Sequence, residues 1–544
     1  MTTATVTALA LTGSPASANP TPPTPPGSPA AIKSPSPQAK GRWGERTVAA
    51  GAHLTTGSTK NDVWVADPYA TDTQAEAGTV YAVAGSSLIT NSGGTQTAPT
   101  VLYTIHPPTP AINGHFGFVI SNIGDVNGDG VPDLAVGEDA QDNPTPPTGR
   151  SYIGTGHVYV YSGINGTSLY TITAPTGVVS GDRFGSRIGN AGDIYKTNKG
   201  FVGTGTPPIT GDMKSEIIIG ASASKDGTTN PGVGKAYIFN GDPGSYSGTP
   251  KTGNTPVRTL SNPAKGQVCS STSSCGNYGL SVQGPGDTNG DGVPDQLVGA
   301  PTYNDTVGGH TSQGRMYIIS GKDGTVLQTI DDPTPQQGAY FGFQDVTPNS
   351  PGDVNTDTKP DVYGEGWLQT GTIGTGQGEA WVFNGATGAM LYALNDPHAT
   401  PSGNSRQFGW SMTATTDGNA TTPALLVGAS PHGAASTDED GGAYVFGSAS
   451  SGTRPLLEDL PLPSYYQQSS ASDAGPNLGW TVAAPGDLDG SGYQTYLAGA
   501  PFWNSATNVD EGLVFAFYHN ATTGYAPAYC TPLSNGGYDT TGTC

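Results

Sequence analysis

The sequence predicts an all-β chain: a seven-bladed β-propeller of four-stranded antiparallel blades. Two observations predict it. First, an aromatic residue or leucine followed by glycine recurs at Trp43-Gly44, Phe116-Gly117, Phe184-Gly185, Tyr278-Gly279, Phe341-Gly342, Phe408-Gly409 and Leu478-Gly479, with successive copies 63 to 94 residues apart. Second, four short apolar runs follow these starts in the same order. The composition agrees. Only 12% of the 544 residues are charged, while 82 are Gly and 46 are Pro, so solvated helical faces are scarce and turns abundant. A repeat of this length marks stacked supersecondary units rather than three or four independent domains.

Unit two sets the pattern. "FVISNIG" is the first run and "DLAVGE" the second, with an acidic loop between them. A variable loop leads to "GHVYVYSG", the tight turn "INGTS" and "LYTITAP". Apolar residues alternate with small or polar ones, as in strands. The third run returns as "GTVYAVAG", "GKAYIFNG", "GRMYIISG", "GEAWVFNG", "GGAYVFGS" and "GLVFAFYH". Asn-Gly, Asp-Gly and Thr-Gly steps between the third and fourth runs are hairpin chemistry. One such sheet cannot bury both faces; stacking blades around an axis does so, and closing the ring removes exposed edges. Closure is expected to pair the first unit, which is the weakest copy, with the last.

The repeats set the boundaries. Residues 1–18 read as the remnant of a signal peptide: a weak apolar stretch precedes Ala16-Ser17-Ala18, without a basic start. Residues 19–42 read as a Pro-rich extended linker, 43–529 as the propeller, and 530–544 as a disulfide-closed tail. Four cysteines allow three pairings; the local couples Cys269–Cys275 and Cys530–Cys544, each closing a Gly/Ser/Thr-rich loop, are the expected ones. Disulfides imply an oxidising, extracellular setting. No apolar run of about 18 residues occurs, so no membrane span is expected. The net charge of −22 disfavours nucleic acid and anionic membrane as partners and suits bound cations.

The acids are concentrated in the loop after the first run. In unit two Asp125, Asn127, Asp129 and Asp133 occupy places one, three, five and nine; unit four repeats them as Asp287, Asn289, Asp291 and Asp295, and unit five as Asp353, Asn355, Asp357 and Asp361. Alternate spacing turns these oxygens toward one point. Gly130 and Gly292 allow the bend at place six. The carbonyls of Val131, Val293 and Lys359 at place seven can add a ligand. Hard oxygens with three carboxylates suit Ca²⁺. An EF-hand would need Glu at place twelve and flanking helices; Val136, Val298 and Gly364 stand there and strands follow. Unit seven carries a weaker set, Asp487, Asp489, Ser491, Tyr493 and Thr495. Unit three scatters Asp193, Asp212 and Glu216 around an insertion, unit six has Asp417 and Asn419 without the frame, and unit one retains only Asp62. Three strong Ca²⁺ sites and one weaker one are therefore expected.

Phe-Gly, the DxNxDGxxD loop and the later Gly-Ala-Pro, at Gly299-Ala300-Pro301 and Gly499-Ala500-Pro501, resemble FG-GAP repeats. The resemblance covers roughly Trp43 to Tyr529. It implies the seven-bladed propeller found at the N-terminus of integrin alpha chains, and with it an extracellular, calcium-binding protein of adhesion or surface recognition with a protein or glycan partner. In an up-and-down blade the acidic loops share one face with the tight hairpins, while the long variable loops share the other. Recognition belongs on the variable face, where Asp139, Asp142, Trp367, Asp438, Glu439, Asp440, Trp503, Asp510 and Glu511 fall. Catalytic motifs (GxSxG, HExxH, a phosphate-binding glycine loop) do not occur in the sequence. Two other classes stay open: a secreted phospholipase-like or glycosidase-like hydrolase working in the central funnel, and a self-assembling structural subunit of an extracellular assembly.

Overall fold

In the computed structural model the described residues are 30–49, 51–54, 60–89, 97–138, 156–194, 214–225, 232–241, 251–253, 255–264, 276–305, 307–343, 350–370, 376–398, 406–416, 423–430, 441–447, 456–462, 475–488, 490–504 and 510–518. Their strands form seven sheets. Blade one runs Arg46–Ala49, Val63–Asp67, Thr79–Val83 and Val101–Ile105; blade two runs Val119–Asn122, Leu134–Glu138, His157–Tyr161 and Ser168–Thr173. Each neighbouring pair within these blades is antiparallel, with Val119 opposite Gly137, Leu134 opposite Tyr161 and Val158 opposite Ile172 in blade two. Blades three, four and six repeat the four-strand order; blade five shows its second to fourth strands, Val362–Gly366, Glu379–Phe383 and Met390–Leu394. The chain is a seven-bladed β-propeller.

Two departures from the sequence reading concern the strands at blade edges. Ala30–Lys33, inside the segment read as linker, is the outermost strand of blade seven and pairs with Leu513–Phe517, Ala31 opposite Phe515. The ring is thus closed by the N-terminal end of the chain supplying the last strand. Three apolar residues between Pro29 and Lys33 are too few to show a period, and only the waiting edge makes them a strand. Lys251–Gly253 adds a fifth, parallel strand to the outer edge of blade two, from an insertion in unit three. All four cysteines, and the proposed leader and tail, lie outside the described residues.

Seven apolar clusters account for the seven joints between blades. At the closing joint Ile32, Trp43, Val63 and Tyr81 pack with Leu497, Val514 and Ala516. The recurrent dipeptide makes each joint. Its aromatic side chain is fully buried, a stabilisation of about 2–3 kcal/mol for one such ring, and its backbone lies against the glycine that opens the third strand of the preceding blade. At Gly378, held at φ +79, a Cβ would come within 2.2 Å of the Phe408 carbonyl oxygen. Gly512 meets the Trp43 carbonyl in the same way, at 2.3 Å, across the closure. Only glycine provides both this φ and the room. The first strands of successive blades touch each other, which places them next to the axis. Among the described residues no helix is long and apolar enough to cross a membrane.

Candidate functional site

The acidic loops leave the far end of the first strands, and three of them fold alike. In blade two Asp125 Oδ1 accepts the N–H groups of Gly128 and Asp129, at 2.6 and 3.2 Å, and its Oδ2 that of Gly130 at 2.8 Å. Asn127 Oδ1 accepts Asp129 N–H, and Asp129 Oδ1 accepts Val131 N–H. Each oxygen thus caps the amide two or more residues ahead, so alternate spacing winds the loop into nested turns. Blade four repeats every one of these bonds through Asp287, Asn289 and Asp291. Blade five repeats them through Asp353, Asn355 and Asp357, except at place four, where Thr356 replaces glycine. Thr356 and Thr358 are held there at φ 65 and 73, a region β-branched residues rarely enter. In blade seven Asp487 caps Gly490 and Gly492, and Ser491 caps Tyr493; Asp489 lies outside the described residues.

Place nine does something different. Asp133 is fully buried. Its Oδ2 accepts Val126 and Asn127 N–H, and its Oδ1 accepts Gly163 N–H, at 3.0 Å, from the turn between the third and fourth strands. Asp295 and Asp361 make the corresponding bonds to Thr288 and Gly321, and to Val354 and Gly385. Asp62 makes the same pair, to Leu54 and Gly85, in a blade that lacks acids at the other places. In blade three Glu216 accepts Ile194 N–H, and in blade seven Thr495 Oγ1 accepts Leu488 N–H. In blades one, two, four and five place nine therefore staples two turns together, and in blade one it does so without an acidic loop.

The donor set at places one, three and five fits a hard divalent cation: carboxylate and amide oxygens, half-buried or exposed, on a turn already wound. An oxygen that accepts one amide keeps a lone pair for an ion. Among the described residues no three Asp, Glu, His or Cys side chains are gathered tightly enough to hold an ion as they stand. The Asn127 amide lies between them, its Nδ2 donating to Asp129 Oδ2 at 2.8 Å and Asp133 Oδ1 at 3.4 Å. Asn289 and Asn355 also direct their amides at a neighbouring carboxylate. An ion taken into the loop would displace this N–H group. Burial, and then the charges of Asp129 and Asp125, push Asp133 up to about 7 against its amide bonds; Asp361 is pushed up to about 6 and Asp295 upward for the same first reason. These upward shifts are chiefly the cost of burying the ninth-place carboxyl.

The opposite end of the first strands carries an aromatic arc. The residues following the Phe-Gly or Leu-Gly step include Phe118, Phe343, Trp410 and Trp480. Trp410 meets Trp480 with ring centroids 4.9 Å apart, Trp480 meets Phe502 at 5.1 Å, and Trp367 meets Trp410 at 5.2 Å. Arg187 of blade three lies 5.7 Å over Phe343 of blade five, and Arg46 lies 5.3 Å over Phe118. Of the variable-face residues singled out in the sequence, Trp367 belongs to this arc, Trp503 and Glu511 are buried, and Asp139, Asp142, Asp438, Glu439 and Asp440 lie outside the described residues. Sequence reasoning missed the other aromatics, although their place after the repeat dipeptide was a readable signal. It also missed that Asp67 and Glu138 stand where other repeats have the alanine of Gly-Ala-Pro or Gly-Ala-Ser, and Glu365 where they have its glycine, all three buried.

The family model for the FG-GAP repeat matches residues 116–161, from the aromatic of unit two to the end of its third strand. Blade two thus matches the FG-GAP repeat. The chain is also similar to integrin alpha-5 of Xenopus laevis, 28% identical over 186 residues. That stretch covers 34% of this chain and only 15% of the integrin, so the chain spans a small part of its relative's length. The FG-GAP signature thus falls on a blade with a complete acidic loop, and blades one, three, four and six share its four-strand order.

Proposed function

We propose that this FG-GAP propeller is an extracellular recognition module stabilised by calcium, which presents its variable loops to a protein or glycan partner. The observation that carries the reading is the triplicate loop: three blades wind the same oxygen-rich turn with the same capping bonds, at places where the fold itself needs only the ninth residue. An ion at places one, three and five would bind the folded chain alone, and so stabilise it by mass action. Asp125, Asn127, Asp129 and the Val131 carbonyl would hold it in blade two, with the corresponding residues in blades four and five. Similarity to an integrin alpha chain supports adhesion as the setting.

Isothermal titration with Ca²⁺ tests the metal half. The expected result is at least three bound ions per chain and a lower melting temperature after chelation; a chain that takes up none refutes it. Capture of extracellular proteins and glycans by the immobilised propeller, with and without Ca²⁺, tests the recognition half. Binding lost on deleting variable-face loops supports the reading; binding that follows the hairpin face instead overturns it.

A further inference from the structure

A side chain from the neighbouring blade stands beside each strong loop but one, and its charge follows the acidity of the loop it faces. The position concerned lies two residues before the ninth-place staple. In blade five it is Lys359, which reaches back to blade four: its ammonium donates to the Asn289 carbonyl at 3.2 Å, and its stem lies over Gly290. In blade one it is Lys60, which donates to the Asp487 carbonyl of blade seven at 3.2 Å and pairs with Asp487 Oδ1 at 3.6 Å. In blade three it is Lys214, whose stem lies over Gly128 of blade two. The acidic loops of blades two, four and seven are therefore each covered by a lysine. Where the preceding blade lacks the acidic frame, the position is apolar: Val131 faces blade one and packs in that joint, and Val293 packs in the joint with blade three. The acidic loop of blade five differs. The sequence has no lysine or arginine between Arg406 and Arg454, and the ammonium that acts on Asp357, that of its own loop's Lys359, is bonded to blade four.

We infer that these lysines are resident counter-charges that set the cation affinity of the loop in the preceding blade, so that the blade-five loop binds divalent cations more tightly than those of blades two and four. This rests on the proposed calcium binding. An ammonium beside a loop lowers its net negative charge before an ion arrives and repels the ion once it is there. Across about 6–12 Å in the dielectric of water this weakens a divalent site roughly three- to tenfold. The same ammonium holds the loop in place when no ion is present, and links two blades in doing so. Glycine at place four is what admits the lysine stem; blade five, with Thr356 there, has no lysine to admit.

Calcium titration of the whole chain distinguishes the possibilities. Wild type is expected to show one tight class and a weaker class, with Asp357→Ala removing the tight one. Lys214→Met with Lys359→Met, which keeps the stems and removes the charges, should tighten the weak class roughly three- to tenfold toward the tight class. Lys359→Arg should leave it weak. In wild type itself, raising the salt from 0.1 to 1 M should narrow the gap between classes as the repulsion is screened; this reading needs no variant to fold. Equal affinities in wild type, an unchanged weak class in the Met variant, or a gap that salt does not narrow each overturns the inference while calcium binding stands. A wild-type chain that binds no calcium overturns the proposed function as well.

Discussion

Blade one and blade two close the same turn with different side chains. Blade one has only Asp62, whose two oxygens hold Leu54 N–H and Gly85 N–H. Blade two has Asp133 doing the same work and adds Asp125, Asn127 and Asp129. Both turns lead into a buried second strand. The ninth residue is thus part of the fold, and the three acidic or amide residues before it are an addition that the fold alone does not demand. A motif that looks like one ligand set contains a structural staple and an ion-facing group.

The largest effect should come from removing the staple. Asp62→Ala and Asp133→Ala each leave two buried amides without an acceptor, at a cost of about 2–4 kcal/mol each. Urea unfolding should show comparable losses in the two variants, and that of Asp62→Ala should be the same with and without Ca²⁺. A silent Asp62→Ala would break the comparison, because the shared bonds would then carry no stability.

A smaller effect sharpens it from blade five. Thr356→Gly and Thr358→Gly relieve threonines held in the left-handed region and should each stabilise the chain by about 0.5–1 kcal/mol, the strain relieved exceeding the added freedom of the unfolded chain. Gly130→Thr in blade two should cost a similar amount. Calorimetry on the three variants decides. Destabilisation by both Thr→Gly changes would mean that the hydroxyl or methyl groups, rather than the turn, hold that loop.

Much of this was legible in the sequence. Seven dipeptides, the glycine before each third strand and the alternation of runs gave the blade number and strand order, because each encodes a local requirement: a buried ring, a positive φ, a pleat. The spacing of places one, three and five was legible for the same reason, as each oxygen caps an amide close by. What the sequence hid was long-range. Asp133 reaches Gly163 in another turn, so its second duty has no local signature. Ala30–Lys33 is a strand only because blade seven leaves an edge for it. Lys359 and Asn289 come together only when two blades stack. The aromatic arc draws on blades five, six and seven at once and shows as a pattern only when the repeats are aligned one residue past the dipeptide.

The most direct measurement is the melting temperature of Asp129→Ala/Asp291→Ala/Asp357→Ala with and without calcium. This triple change removes one of the two ion-facing carboxylates from each loop and leaves Asp133, Asp295 and Asp361 in place. The account predicts a folded chain whose calcium-free stability is close to that of the calcium-free wild type. It also predicts that the calcium-induced gain, about 2–3 kcal/mol per site and so about 8 kcal/mol over three sites at a hundredfold excess over Kd, disappears. A calcium-induced gain that survives in the triple variant would contradict it.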